Sequence, residues 1–123
     1  MQGTATVTRV DTHQEAILVQ LRKGVLEYCV MAQLLHAPSY GLQIAADLAR
    51  LPALFASEGT LYPLLARLRK QGMVETTWQE SASGPPRRYY KLTERGEDAL
   101  ASFKEAWGPF TTAVTIALEE TAP

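Results

Sequence analysis

The sequence contains no asparagine, one cysteine (Cys29) and two histidines, His13 and His36. Without asparagine there is no acceptor for N-glycosylation. A single cysteine excludes an internal disulfide. Two histidines far apart in sequence and one cysteine do not offer the short-spaced ligands of a zinc site. No run approaches the roughly 20 apolar residues of a membrane span. The N-terminus lacks the basic start and apolar stretch of a secretory signal. There is no Gly-rich phosphate loop and no G-x-S-x-G nucleophile turn. The expectation is a cytoplasmic protein that is not an enzyme and uses no metal or cofactor.

What is present suits one soluble domain. The chain has 123 residues, 46% hydrophobic and 20% charged, a size that can bury a true core. The net charge of −1 argues against a polyanion partner, but its distribution does not. Residues 67–95 carry Arg67, Arg69, Lys70, Arg87, Arg88, Lys91 and Arg95 against Glu75, Glu80 and Glu94. Residues 96–123 carry only Lys104 against Glu97, Asp98, Glu105, Glu119 and Glu120. A basic segment beside an acidic one creates a local positive surface, or simply a solvated charged face.

Apolar periodicity supplies the elements. Residues 1–12 show none and read as a mobile tail. Leu18, Leu21, Val25, Cys29, Ala32 and Leu35 recur at steps of three and four, the face of an amphipathic helix weakened at Gly24 and ended near Pro38. Tyr40–Arg50 forms a second helix with Ile44 and Leu48 inward, stopped by Pro52. Leu54–Ala56 has room for one small strand. Ser57 starts a third helix, its hydroxyl expected to accept from free backbone N–H groups. Leu61, Leu64, Leu65 and Leu68 form its inner stripe, and Gly72 ends it. Met73–Glu80 and Arg87–Leu92 alternate as strands around the loop Ser81–Pro86, a β-hairpin in which Trp78 is expected to pack. Thr93 caps a last helix. Its seam of Leu100, Phe103, Trp107, Phe110, Val114 and Ala117 follows heptad spacing, with a kink expected near Pro109.

Three helices followed by a hairpin whose second strand is basic is the order of a winged helix-turn-helix. The fold class is therefore mainly α with a small β-hairpin, with residues 13–92 as the DNA-binding domain and 93–123 as a C-terminal helix, whose dimerisation role is what the family resemblance below implies. A helix fits the major groove, with its N-terminal residues at base edges. Thr60 and Pro63 stand near that end, and Tyr62 can bond a phosphate or base edge. Arg67 and Lys70 suit phosphates or guanine, while Arg87 and Arg88 meet the backbone. Arg69 reads as a solvated surface charge. Cys29 reads as a small buried apolar residue, and His36 as a helix end.

The run Leu21-Arg22-Lys23-Gly24-Val25-Leu26-Glu27-Tyr28-Cys29-Val30, the pair Tyr40-Gly41, the run Ser57–Leu65 and the run Gly84–Thr93 together resemble the PadR-family transcriptional regulators. The resemblance spans about residues 21–110. It implies a homodimeric repressor that binds inverted-repeat operators in double-stranded DNA. Tyr40, Thr60, Tyr62, Pro63, Arg87 and Arg88 then fall where such regulators meet DNA. A single C-terminal helix resembles the short subfamily, in which that helix packs on the partner's first helix. Leu18, Leu21, Leu100, Phe103, Trp107, Phe110 and Val114 are the expected dimer residues. Gln33 and Pro109 depart from the family pattern.

Trp107 is similar in position to a tryptophan that stacks flat aromatic ligands in multidrug-responsive members. With Phe103 and Phe110 it is the candidate site for a small planar effector; the bland alternative is dimer packing. Two other functions fit the same elements: a winged helix that serves protein–protein contact, and a ligand-binding protein with incidental DNA affinity. Salt dependence separates them, because each neutralised phosphate contributes about −0.9 to the log–log slope.

Overall fold

The computed structural model describes residues 3–54 and 57–120, with side chains from Thr12 onward. The elements are α1 (Gly3–Arg22), α2 (Leu26–Gln33), β1 (Ser39–Tyr40), α3 (Gly41–Leu48), α4 (Glu58–Lys70), β2 (Val74–Ser81), β3 (Gly84–Leu92) and α5 (Glu94–Glu120). Residues 3–12, expected within a tail, are instead the opening turns of α1; Met1 and Gln2 lie outside the described residues.

The expected first helix is two helices. Lys23-Gly24-Val25 forms a turn between α1 and α2, with Val25 N closing on the Arg22 carbonyl at 3.1 Å. Arg22 ties this corner down. Its Nε donates to the Ala53 carbonyl at 3.0 Å, one Nη to Pro52 at 3.2 Å, and the other meets Glu15 at 2.9 Å. The end of α1 is thus fastened to the segment that leads into α4.

The core lies where α2, α3, α4 and the base of the hairpin meet. Val30, Ile44, Leu48, Leu61 and Leu65 are fully enclosed, and Leu64, Leu68, Val74, Leu92 and Leu100 join them. The leucine stripe expected on α4 is therefore its buried face. Each such leucine contributes about 1.5–3 kcal/mol by leaving water. Gly72 ends the helix with φ of 79°, the left-handed conformation that glycine adopts without steric penalty. At the other end, Ser57 occupies the N-cap position but its side chain makes no capping bond. Thr60 closes the first turn instead, its hydroxyl donating to the Ser57 carbonyl at 2.8 Å.

The sheet has three antiparallel strands in the order β1-β3-β2. β1 is the two-residue piece Ser39–Tyr40, paired with Tyr90 and Tyr89. Two residues carry no periodicity, so the strand was not legible, whereas the strand expected at 54–56 is absent at Leu54, which lies in a turn; Phe55 and Ala56 lie outside the described residues. The hairpin loop is shorter than expected, since β3 begins at Gly84 and includes both prolines. The register steps from Gln79↔Arg87 to Ser81↔Gly84. One residue, Glu80, faces two that have no N–H to give, a bulge that accommodates Pro85-Pro86.

Thr93 joins the hairpin to α5. Its hydroxyl accepts from Gly96 N at 3.0 Å and lies 2.7 and 3.0 Å from the Gly72 and Met73 carbonyls as a donor. α5 continues through Pro109, where a kink is expected from the sequence, as one helix. Thr111 donates from its hydroxyl toward the Trp107 and Gly108 carbonyls in the same stretch.

Gly96, in the first turn of α5, marks a close approach. A Cβ there would collide with the Met73 carbonyl and Leu92. Gly96→Ala gains about 1 kcal/mol of helix propensity but overpacks a site bounded by backbone, at a cost of about 1–3 kcal/mol. Net destabilisation is expected, read as a lower urea midpoint with an unchanged slope; a raised midpoint would show that α5 shifts freely.

Candidate nucleic-acid interface

With its leucines inward, α4 turns Gly59, Thr60, Tyr62, Pro63, Ala66, Arg67, Arg69 and Lys70 to solvent. Helical spacing divides them. Thr60, Pro63 and Arg67 lie toward α1 and α2, and with Glu27 and Lys23 they border a cleft of about 360 Å³. Arg67 is not free there, because its guanidinium meets Glu27 at 3.4 Å. Ala66, Arg69 and Lys70 lie toward the hairpin and border a second cleft with Arg88 and Tyr90.

Tyr62 leans over the start of α3. A Cβ built on Gly41 would sit 2.7 Å from its hydroxyl oxygen, so Gly41 is required by this approach. Burial pushes the Tyr62 hydroxyl above the ordinary tyrosine range, and the negative charge of Glu58 and the proximity of Tyr90 add to it. It therefore stays protonated and able to donate. Thr60 spends its proton on Ser57 and is left as an acceptor.

The two wing arginines occupy opposite faces of β3, as the alternation of the strand predicts. Arg87 lies 4.3 Å above the Tyr40 ring, and Tyr40 tilts against Tyr89 at 5.2 Å. Arg88 lies 5.0 Å above Trp78, its cross-strand partner. Alternation in a strand requires this separation. Trp78 is 64% exposed, so it is a platform for Arg88 and not the core residue expected from its alternation. The structure thus gathers Tyr40 with Arg87, Lys70 with Arg88, and Thr60 with Pro63 and Arg67. Sequence reasoning missed Glu27, whose link to Arg67 spans 40 positions, and Arg69, whose neighbours become visible only once the wing folds back.

A second region involves α1 and α5. Tyr28, Phe103, Trp107 and Phe110 form a ladder with centroid spacings of 4.3, 5.4 and 6.4 Å. An apolar groove of about 610 Å³ runs beside it, lined by Leu18, Leu21, Val25, Leu54, Phe103, Trp107 and Phe110. Phe110, Leu21 and Val114 are exposed in the single chain. Leu100 is not: at 3% exposure it belongs to the core of the chain itself, which corrects its expected place among the dimer residues. Cys29 is partly buried, and burial pushes its thiol up. Among the described residues there is no group of three potential metal ligands, and no helix is long and apolar enough to cross a membrane.

A buried leucine face on α4, an exposed small-and-basic face opposite, and a basic two-stranded wing beside it define a winged helix-turn-helix of the DNA-binding regulator class. The chain belongs to the PadR-like transcriptional regulator family, whose model matches residues 30–102. It is similar to a PadR-like transcriptional regulator from Bacillus cereus, with 38% identity, 80% of this chain and 96% of that one covered, and a TM-score of 0.72. A PadR family transcriptional regulator from Eggerthella lenta gives 31% identity, coverage of 91% and 97%, and a TM-score of 0.78. An uncharacterised protein of Lysinibacillus sphaericus is 23% identical over 99 residues, covering 79% of this chain and 91% of that protein. The family is one of transcriptional regulators, not enzymes.

The raised Tyr62 value has a definite sign. The folded state favours the neutral hydroxyl, so the associated stability is present below the ordinary tyrosine pKa and is lost as pH rises through the raised one. In a phenolate-absorbance titration, the difference between the wild type and Tyr62→Phe should show one tyrosine ionising later than free tyrosine. An ordinary or lowered value would mean that the ring is not held over Gly41.

Proposed function

We propose that the chain is a cytoplasmic homodimeric repressor that binds an inverted-repeat operator and is relieved by a small planar aromatic effector. The observation that carries the DNA part is the exposed face of α4 set beside a wing with cations on both faces. Thr60, Tyr62 and Pro63 enter the major groove at the N-terminal end of α4. Thr60 accepts from a base amino group, and Tyr62 donates to a base edge or phosphate. Arg67 and Lys70 follow along the groove, while Arg87, steadied on Tyr40, and Arg88, steadied on Trp78, hold the backbone. With no asparagine, and no glutamine in the first turns of α4, the amide contact to adenine has no donor residue there. Readout then leans on Thr60, Tyr62, Arg67 and DNA shape.

The dimer part rests on the apolar groove between α1 and α5 and the exposed side chains of Leu21, Phe110 and Val114. A second copy of α5 laid there removes them from water. Two-fold symmetry then sets half-sites about one helical turn apart. The Phe103–Trp107–Phe110 ladder supplies stacking faces for a flat ligand, and two copies of Trp107 across the axis would sandwich it.

Fluorescence anisotropy against the DNA upstream of the chain's own gene, with an unrelated duplex as control, tests this. Tighter binding to the upstream duplex is expected, with a salt slope of several units and weakening in Arg67→Ala/Arg87→Ala. Planar aromatic cations should quench tryptophan emission in the wild type and less in Trp107→Phe. Equal weak binding with almost no salt slope would point to a protein partner instead.

Glu27 offers a sharper check. It neutralises Arg67 in the free protein, so Glu27→Gln should tighten DNA binding and steepen the slope by up to about 0.9 per protomer. The gain should vanish in Glu27→Gln/Arg67→Gln. An unchanged slope would remove Arg67 from the contact.

A further inference from the structure

On the wing side of α4, Ala66, Arg69 and Lys70 face Arg88 and Tyr90 across an open cleft of about 400 Å³. Arg69, Lys70 and Arg88 make no ion pair with any described carboxylate, whereas Arg22 and Arg67 are each held by a glutamate. The strands supply no acid to the cleft. Thr76 and Trp78 stand opposite Tyr90 and Arg88, and Glu75 pairs with Lys91 on the other face. Glu80 lies on the Trp78 face but farther toward the hairpin tip, and does not line the cleft.

Arg88 is the informative member. Its guanidinium carbon lies 5.0 Å from the Trp78 ring centroid, a cation–π contact that holds the group beside the ring. Its Nε is shielded from solvent and has no hydrogen-bond partner in the protein. Buried polar groups are nearly always paired, and a cationic N–H is costly to leave without an acceptor. An acceptor that enters the cleft would resolve this. It must be anionic, because three cations converge without compensation. A group with several oxygens suits it best, since a planar guanidinium fork matches phosphate geometry.

We propose that Arg69, Lys70 and Arg88 form an oxyanion site that takes a phosphate group between α4 and the wing. The opening beside Lys70, on the outward face of α4, lets the phosphate belong to a larger body. A duplex seated on α4 brings a backbone phosphate there, and a free phosphorylated compound reaches the same donors. The backbone source rests on the DNA-binding reading; the site itself does not.

Two arms test it on the full chain. In the first, inorganic phosphate is titrated against chloride at matched ionic strength, and arginine Nε–H resonances are followed by heteronuclear NMR. Arg69→Lys and Arg88→Lys assign the signals, and circular dichroism checks that each variant folds. Saturable shifts of the Arg69 and Arg88 signals are expected, with none at Arg50, and the Arg88 shift should be lost in Arg69→Gln/Lys70→Gln. In the second, the salt slope on the upstream duplex is compared for wild type, Arg69→Gln and Arg50→Gln. A decrease of about 0.9 per protomer confined to Arg69→Gln assigns the site to a backbone phosphate. Saturable shifts without that decrease assign it to a free phosphate compound. The absence of both effects overturns the proposal, even where the wild type binds DNA. If the wild type binds no duplex, the DNA reading fails, and the phosphate titration alone decides the site.

Discussion

The burial of one face of α4 is the constraint on which the rest depends. Leu61, Leu64, Leu65 and Leu68 occupy the centre of the core. Their removal from water fixes the rotation of the helix about its axis, and so determines which residues remain outside. Thr60, Pro63, Arg67 and Lys70 are outside because no core position is left for them. The wing follows from the same choice. Val74 and Leu92, paired across the base of the hairpin, complete the core against α4. Strand alternation then sends Arg88 toward the helix and Arg87 away from it.

The electrostatics of the exposed face are uneven, which reconciles a chain of net charge −1 with a polyanion partner. On the α1–α2 flank, Glu27 holds Arg67 at 3.4 Å, across a partly exposed contact. Such a pair stabilises the fold little, but it lowers the positive potential where Thr60 and Pro63 stand. On the wing flank no carboxylate among the described residues pairs with Arg69, Lys70 or Arg88. Aromatic rings carry the wing arginines on both faces, so the cations are oriented without being neutralised. A guanidinium attracted to a ring face keeps N–H donors available for an acceptor.

Much of the fold was legible because it rests on periodicity. The α4 stripe, the inward pair Ile44 and Leu48, the Gly72 stop, the Thr93 cap and the hairpin alternation all follow from spacing and local chemistry. The errors have equally physical sources. A helical period continued across Lys23–Val25, so the turn was hidden by a pattern that fitted both halves. Ser57 has the right side chain for a cap, but the Thr60 N–H that it would accept from donates to the Ser57 carbonyl instead. Trp78 alternated with Val74 as a core residue should, yet the hairpin extends beyond the edge of the core before Trp78 is reached. Of the candidate interface, the membership of α4 and the wing was readable. The pairing of Glu27 with Arg67, and of Arg69 with Arg88, was not.

The sequence by itself determined the order of elements, the inner and outer faces of each, and the location of the basic segment. These depend on residues a few positions apart, whose relation is set by the helical and strand repeats. Only the tertiary structure decided which cations share a cleft, which is neutralised, and which faces of the wing and of α5 remain open. Those outcomes depend on contacts between residues distant in the chain, such as Glu27 with Arg67 or Arg22 with Ala53. No local period encodes such contacts. They exist because packing the α4 leucines brings separate helices to one place and leaves their flanks to meet.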